Sequence, residues 1–153
     1  MKPLLLEYGP RLVHWGAAGT NTRGHYLRVC TSLEHLDLNV CRTVSSNALG
    51  TCVQACAPRL RVLRASFTNI STDALMTAPA ASNLEELDLT SCSHISGAAV
   101  DQMLRCCTRL RRLEVAHCSQ VRFIDQGTPA LGDAYANGVQ WAKGMCGVCM
   151  SGP

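Results

Sequence analysis

Residues 84–92 read LEELDLTSC, which is the pattern Leu84-x-x-Leu87-x-Leu89-x-x-Cys92. Successive residues of a strand point to opposite sides, so Leu87 and Leu89 predict a short strand with its leucines facing inward. Leu84 turns the chain into this strand. Cys92 suits the tight interior corner where the chain leaves the sheet, because a buried cysteine behaves as a small hydrophobe. The stretch therefore predicts a strand followed by a corner, with one buried side.

The pattern recurs along the chain, in three good copies and two weaker ones. The copies occupy residues 12–20, 33–41, 60–68, 84–92 and 110–118. The good copies end in cysteine, whereas the weaker ones carry Thr20 and Thr68 in that position. From residue 33 onward the starts lie 27, 24 and 26 residues apart, and the first interval is 21. This period is typical of stacked repeats, each of which buries its apolar side against its neighbours.

Between the strands the apolar residues recur at helical spacing. Three helices are predicted, with apolar stripes at Leu49, Cys52, Val53 and Cys56, at Leu75 and Met76, and at Val100, Met103, Leu104 and Cys107. Ser45 or Ser46 can cap the first helix, residues 71–73 the second, and Ser96 the third. The second helix is predicted to be short because Pro79 stops it. Each unit is thus a strand, a corner, a helix and a return.

Three features together resemble the cysteine-containing leucine-rich repeats of F-box/leucine-rich-repeat proteins and the related antagonist-of-mitotic-exit family. The first is a cysteine before the first leucine, at Cys30, Cys56 and Cys107. The second is a cysteine that closes the strand, at Cys41, Cys92 and Cys118. The third is an Ile/Val-Ser/Thr-x-x-x-Leu/Val start of the helix, at residues 44–49, 70–75 and 95–100. The resemblance covers residues 30–122. It implies an α/β leucine-rich-repeat solenoid, similar to ribonuclease inhibitor, with parallel strands on the concave face and helices on the convex face.

The repeat divides the chain into three segments. Residues 1–29 form a degenerate N-terminal repeat, residues 30–122 the cysteine-containing repeats, and residues 123–153 a glycine-rich, poorly ordered tail. Residues 126–153 hold six glycines and two prolines, and their apolar residues keep neither period. Residues 1–29 are expected to be too few for the three-helix F-box module, so the sequence predicts no F-box within them. Two interpretations follow: the tail is a poorly ordered extension, or the chain is a fragment or variant of a longer protein.

The outward strand positions form the candidate partner-binding surface. On the concave face these residues are His35, Asp37, Asn39, Arg64, Ser66, Glu86, Asp88, Thr90, Arg112 and Glu114. A rigid, chemically varied array of this kind suits the recognition of a protein partner. The loops after the strands are the alternative binding site.

Composition narrows the classes of function. The net charge is +3 with acidic residues interleaved among the arginines, which argues against nucleic-acid binding. No stretch approaches the ~20 apolar residues that span a bilayer, and the N terminus lacks a signal peptide. The ten cysteines are therefore read as thiols of a cytoplasmic or nuclear protein and not as disulfides.

The alternative chemistry is a thiol or zinc enzyme. Cys146 and Cys149 form a Cys-x-x-Cys pair, but no second pair completes a zinc site. Residues 92–94 and 117–118 combine cysteine with histidine without the usual ligand spacing. No nucleophile with a base is evident. The prediction is therefore no enzyme, no metal and no cofactor.

The resemblance implies the substrate-recognition repeats of an F-box/LRR-type SCF ubiquitin-ligase receptor, with a ubiquitination substrate as the protein partner. The alternative is a stand-alone leucine-rich-repeat scaffold in cell-cycle regulation or in a structural assembly.

Overall fold

One parallel sheet organises the computed structural model, which describes residues 8–20, 24–76, 83–121 and 140–141. Its strands follow the chain in order and are β1 (His14–Gly16), β2 (His35–Asp37), β3 (Val62–Arg64), β4 (Glu86–Asp88), β5 (Arg112–Glu114) and β6 (Gln140–Trp141). The described residues also form three α-helices, α1 (Ser46–Cys56), α2 (Thr72–Met76) and α3 (Gly97–Cys106). Two 3-10 helices lie at Gly9–Arg11 and Gly24–Val29. This is the α/β repeat architecture that the leucine spacing predicted.

The central leucine of each strand lies in register with the central leucine of the next. Leu36 pairs with Leu63, Leu63 with Leu87, and Leu87 with Leu113. All four leucines are only 1% exposed. They belong to one core cluster that also contains the inward residues of the helices. Burying such a side chain stabilises the fold by about 1.5–3 kcal/mol. The leucine ladder therefore holds the sheet to the helices.

The corner cysteines are buried, as predicted, and they also hydrogen-bond. The Cys41 thiol donates to the Ala17 carbonyl at 2.8 Å, and the Cys118 thiol to the Leu89 carbonyl at 3.0 Å. Each carbonyl belongs to the preceding repeat. Thr68, in the same position, donates at 2.6 Å to the Ala65 carbonyl of its own repeat. A cysteine at the corner therefore links two repeats, whereas threonine closes its own turn.

The helices begin at the predicted hydroxyl residues. Ser45, not Ser46, caps α1 by accepting the Ala48 N–H at 3.3 Å. The Ser46 hydroxyl instead bonds the Ser71 hydroxyl of the next repeat at 2.7 Å. Ser96 caps α3 as predicted. The first hydroxyls of successive helices thus connect the repeats on the helical side.

The predicted apolar stripes are buried except at their edges. Leu104 is only partly buried, and Met76 is exposed at the end of α2. Both lie at the border of the stripe and not at its centre. The predicted role of Pro79 falls outside the described residues.

A left-handed backbone position recurs immediately before each corner residue. It is occupied by Gly19, Val40, Phe67, Ser91 and His117, whose φ angles are 68°, 62°, 54°, 58° and 58°. Glycine adopts this region freely, whereas a β-branched or bulky residue there is strained. In the first four of these residues the turn aims the backbone N–H at the next repeat, as in Val40 N–H to the Ser66 carbonyl at 2.8 Å.

Replacing Val40 and Phe67 by asparagine should therefore stabilise the protein. Asparagine tolerates the left-handed region, and the strain relieved is about 1 kcal/mol at each position. Chemical denaturation would measure the gain. The control is Val13→Asn, an exposed valine outside the left-handed set, which should bring no gain. If Val13→Asn and Val40→Asn changed the free energy of unfolding equally, backbone strain at Val40 would not be the cause of the gain.

The segment predicted as a tail contributes to the sheet. Gln140 and Trp141 pair in parallel with Arg112 and Leu113 of β5. Trp141 thus takes the register position of the central leucine, as Trp15 does opposite Leu36 at the other end. The rest of residues 122–153 lies outside the described residues.

Candidate functional site

The side of the sheet away from the leucine core is called the open face below. It consists of the outward side chains of β2 to β5 and of the residue two positions after each strand. Of the predicted partner-binding residues, Arg64 and Arg112 are exposed, and His35, Asp37, Asn39, Glu86, Asp88, Thr90 and Glu114 are half-buried. The strand alternation therefore placed them on the correct side.

Ser66 is an exception, because only 7% of it is exposed. Its hydroxyl donates to Asn39 Oδ1 at 2.8 Å, and its backbone N–H donates to the same oxygen at 2.9 Å. The left-handed turn at Phe67 follows directly and closes the strand end over the small side chain. Ser66 thus joins two repeats and is corrected from a contact residue to a structural one.

Two aspartates of the open face fix the ends of their own strands. Asp37 Oδ1 accepts the Asn39 N–H at 3.1 Å, and Asp88 Oδ1 accepts the Thr90 N–H at 2.9 Å. Each aspartate satisfies a backbone donor two residues ahead, as aspartate does in turns. One oxygen of each carboxylate is therefore committed to the fold, which fixes the position of the whole carboxylate.

Charges on the open face are paired across neighbouring strands. The Arg64 guanidinium lies 3.1 Å from Glu86 and 4.0 Å from Asp37. On β5, Arg112 Nε donates to Glu114 at 2.7 Å, and this hydrogen bond raises the pKa of Arg112. These pairs are solvent-exposed and contribute little to stability. They order the charged groups and leave them accessible.

Two imidazoles stack at the N-terminal end of the open face. The rings of His14 and His35 lie 4.2 Å apart between centroids, with an angle of 11° between their planes. Burial, followed by the neighbouring His14 and Arg61, lowers the pKa of His35. His14 is not among the predicted partner-binding residues, because its repeat is the weakest copy. The pairing of β1 with β2 is what brings it into contact.

A shallow cavity of about 210 Å³ adjoins this histidine pair. It exists because Gly16 has no side chain, and the space beside its Cα is empty. The lining residues are His14, Trp15, Gly16, His35, Leu36, Asp37, Val62 and Arg64. The open face therefore offers a recess at one end and charged side chains towards the other.

Three buried thiols, Cys30, Cys52 and Cys107, are placed for packing, whereas a hydrogen bond from Cys52 lowers the pKa of Cys56, which is buried as well. Burial raises the pKa of Cys107 to about 12 and, with a smaller effect of Cys56, that of Cys30 to about 11. A hydrogen bond to Cys56, with burial, raises the pKa of Cys52. A thiol needs a lowered pKa and access to act as a nucleophile. These three cysteines have neither.

Metal-ligating geometry is not found among the described residues: no three His, Cys, Asp or Glu side chains converge there. Cys92 and Cys118 are buried, whereas His94 and His117 are exposed, so the structure does not bring these neighbours together. No disulfide joins the cysteines within the described ranges. Cys146 and Cys149 lie outside them.

Leucine-spaced parallel strands with helical returns define an α/β repeat protein. Residues 27–131 match the family model described as "FBD-associated F-box protein At5g56370, LRR repeats". The match covers more than half of the chain, which therefore belongs to this family of leucine-rich repeats. It gives no support for a relationship to the antagonist-of-mitotic-exit family.

Comparison with curated proteins finds no significant match. In the part of the chain that the structure describes, no helix has the length and apolar character needed to cross a membrane.

Proposed function

We propose that this chain is a protein-recognition module that binds its partner on the open face and performs no catalysis. The observation that supports this is the in-register array of accessible charged and polar side chains on β2 to β5. Adjacent strands lie about 4.8 Å apart, so the array offers closely spaced contacts to a partner that crosses the strands. Main-chain hydrogen bonds to the fold preorganise Asp37 and Asp88, which reduces the entropic cost of binding.

In this proposal the stacked repeats form a solenoid, and the open face is its concave side. The partner is a ubiquitination substrate, and the repeats are the substrate-recognition part of an F-box/LRR-type SCF receptor in the cytoplasm or nucleus. Membership of a family described by an F-box protein supports this version. Recovery of a cullin adaptor with a longer form of the chain is the expected result. Its consistent absence would favour the alternative, a stand-alone scaffold in cell-cycle regulation or a structural assembly.

The charge-reversing pair Glu86→Arg and Asp88→Arg should weaken partner binding at least about tenfold, or about 1.4 kcal/mol. Both side chains are on the open face and outside the leucine core. A photo-crosslinking amino acid at Thr90 would report the binding, through the yield of crosslinked partner in cell extract. The same amino acid at Gln54, on the exposed side of α1, should give no such product.

The matched control is Gln54→Arg with Ala55→Arg, which adds cations to α1 and should leave the crosslink at Thr90 intact. Thermal unfolding of each variant separates binding from folding. An undiminished crosslink in the Glu86/Asp88 variant would contradict binding on the open face. Unfolding of that variant would show instead that these side chains are structural.

A further inference from the structure

Val40 and Phe67 form an exposed apolar pair, which is called the apolar rim below. They are 48% and 45% exposed, although each is a large hydrophobic residue. They occupy the same position in adjacent repeats, immediately after the residues that end the open face. The Val40 N–H bonds the Ser66 carbonyl and the Phe67 N–H bonds the Thr90 carbonyl, both at 2.8 Å. The rim is therefore held rigidly beside the open face.

The fold does not require apolar side chains at these two positions. Gly19, Ser91 and His117 take the same left-handed conformation in the other repeats. Valine and phenylalanine are strained there, and their exposure adds the cost of apolar surface in contact with water. Strained residues persist where they serve a function, and an observed outlier is a reason to look for one. Two adjacent outliers of the same chemistry mark a contact surface.

Asp88, a carboxylate that makes no salt bridge among the described residues although Arg112 lies within its electrostatic reach, is close to the rim. Asp88 stands in register between Arg64 and Glu114. Arg64 pairs with Glu86, and Glu114 with the arginine of its own strand. Within the described residues no salt bridge therefore reaches Asp88. Thr90 connects the two features, because its N–H bonds Asp88 and its carbonyl accepts from Phe67.

We propose that the partner binds as an extended segment that places an apolar side chain on the rim and an arginine or lysine against Asp88. The excess of carboxylates around that position attracts a cation and repels a phosphate backbone. Charge complementarity thus selects a basic, apolar peptide over a nucleic acid. The inference rests on the proposed function, since it names the partner chemistry of the same face.

Selection from a displayed library of random twelve-residue peptides tests the proposal, with the whole chain as bait. The expected result is enrichment of sequences that carry an apolar residue close to an arginine or lysine. The variant Val40→Asn with Phe67→Asn should reduce binding of an enriched peptide at least about tenfold, although it is the more stable protein. Asp88→Asn should reduce the binding of an enriched peptide that carries the basic residue. It should not change the binding of the same peptide after its basic residue is replaced by glutamine. Tyr8→Asn with Val13→Asn, two exposed residues away from the rim, is the matched control.

Enrichment that Glu86→Arg with Asp88→Arg abolishes, but that the rim variant leaves intact, would overturn this inference and keep the proposed function. Enriched peptides without a basic residue would also overturn it. Binding that none of these variants changes would contradict both. An enrichment of acidic peptides would reverse the charge assignment and refute the proposal.

Discussion

Truncation of Leu87 to alanine is expected to lower the free energy of unfolding by about 2–5 kcal/mol. Leu87 is 1% exposed and lies in register between Leu63 and Leu113, at the centre of the leucine ladder. Its removal deletes apolar contacts with both neighbouring repeats and leaves a cavity that the flanking strands cannot fill without breaking their register. Denaturant unfolding monitored by circular dichroism would measure the loss.

Val62→Ala on the outward side of β3 is the matched control for that truncation. Val62 is only half-buried, so its loss should cost less than about 1 kcal/mol. If both truncations cost the same, the inward and outward sides of the strands would have been assigned wrongly. A large loss at Leu87 alone would instead confirm that a single leucine column holds the repeats together.

Alkaline pH should destabilise the protein steeply. Unfolded thiols ionise with a pKa near 8.5, whereas burial keeps the pKa of Cys30 at about 11 and that of Cys107 at about 12. Below pH 8.5 both states keep the proton on Cys30 and Cys107, and these two thiols cause no pH dependence. Above it the unfolded state releases protons that the folded state retains, so unfolding is favoured. Each thiol contributes about 1.4 kcal/mol per pH unit, or about 5 kcal/mol for the two together between pH 9 and 11.

Urea unfolding under reducing conditions at pH 8, 9, 10 and 11 would measure this slope. Cys30→Ala with Cys107→Ala should reduce it, even though the variant is less stable at pH 8, and the slope that remains comes from other buried thiols such as Cys52 and Cys92. Val100→Ala, which truncates a buried side chain of α3 without removing a thiol, should leave the slope unchanged. A slope that is identical in the wild type and in the Cys30/Cys107 variant would show that other groups cause the alkaline loss.

Substitutions in the apolar rim should change stability and binding in opposite directions. Asparagine at Val40 and Phe67 should stabilise the fold and weaken recognition, which is the trade-off expected where function uses strained residues. Charge reversal at Glu86 and Asp88 should weaken recognition and also lower stability somewhat, because it removes the Asp88–Thr90 hydrogen bond and the exposed Arg64–Glu86 pair. The two sets of variants therefore separate the energetics of the repeat from those of its partner surface.

Much of this protein follows from its sequence. The period-two alternation of leucines predicted the short strands and their buried side, because side chains in a strand must alternate. Helical spacing predicted α1, with Ser45 or Ser46 as its cap, and α3, with Ser96 as its cap. The cysteine position predicted small buried corners. Each of these features depends on residues close together in the chain, whose preferences act locally.

Other features depend on neighbours that are distant in sequence, and only the tertiary structure decided them. The thiol of Cys41 reaches the Ala17 carbonyl of the repeat before it. Ser66 is buried because Asn39, in the repeat before that of Ser66, accepts its hydrogen bonds. His14 gains its stacking partner from the next strand. The left-handed turn at Val40 arises because its N–H must bond the following repeat. Leucine spacing is set within one repeat, whereas these contacts exist only once the repeats stack.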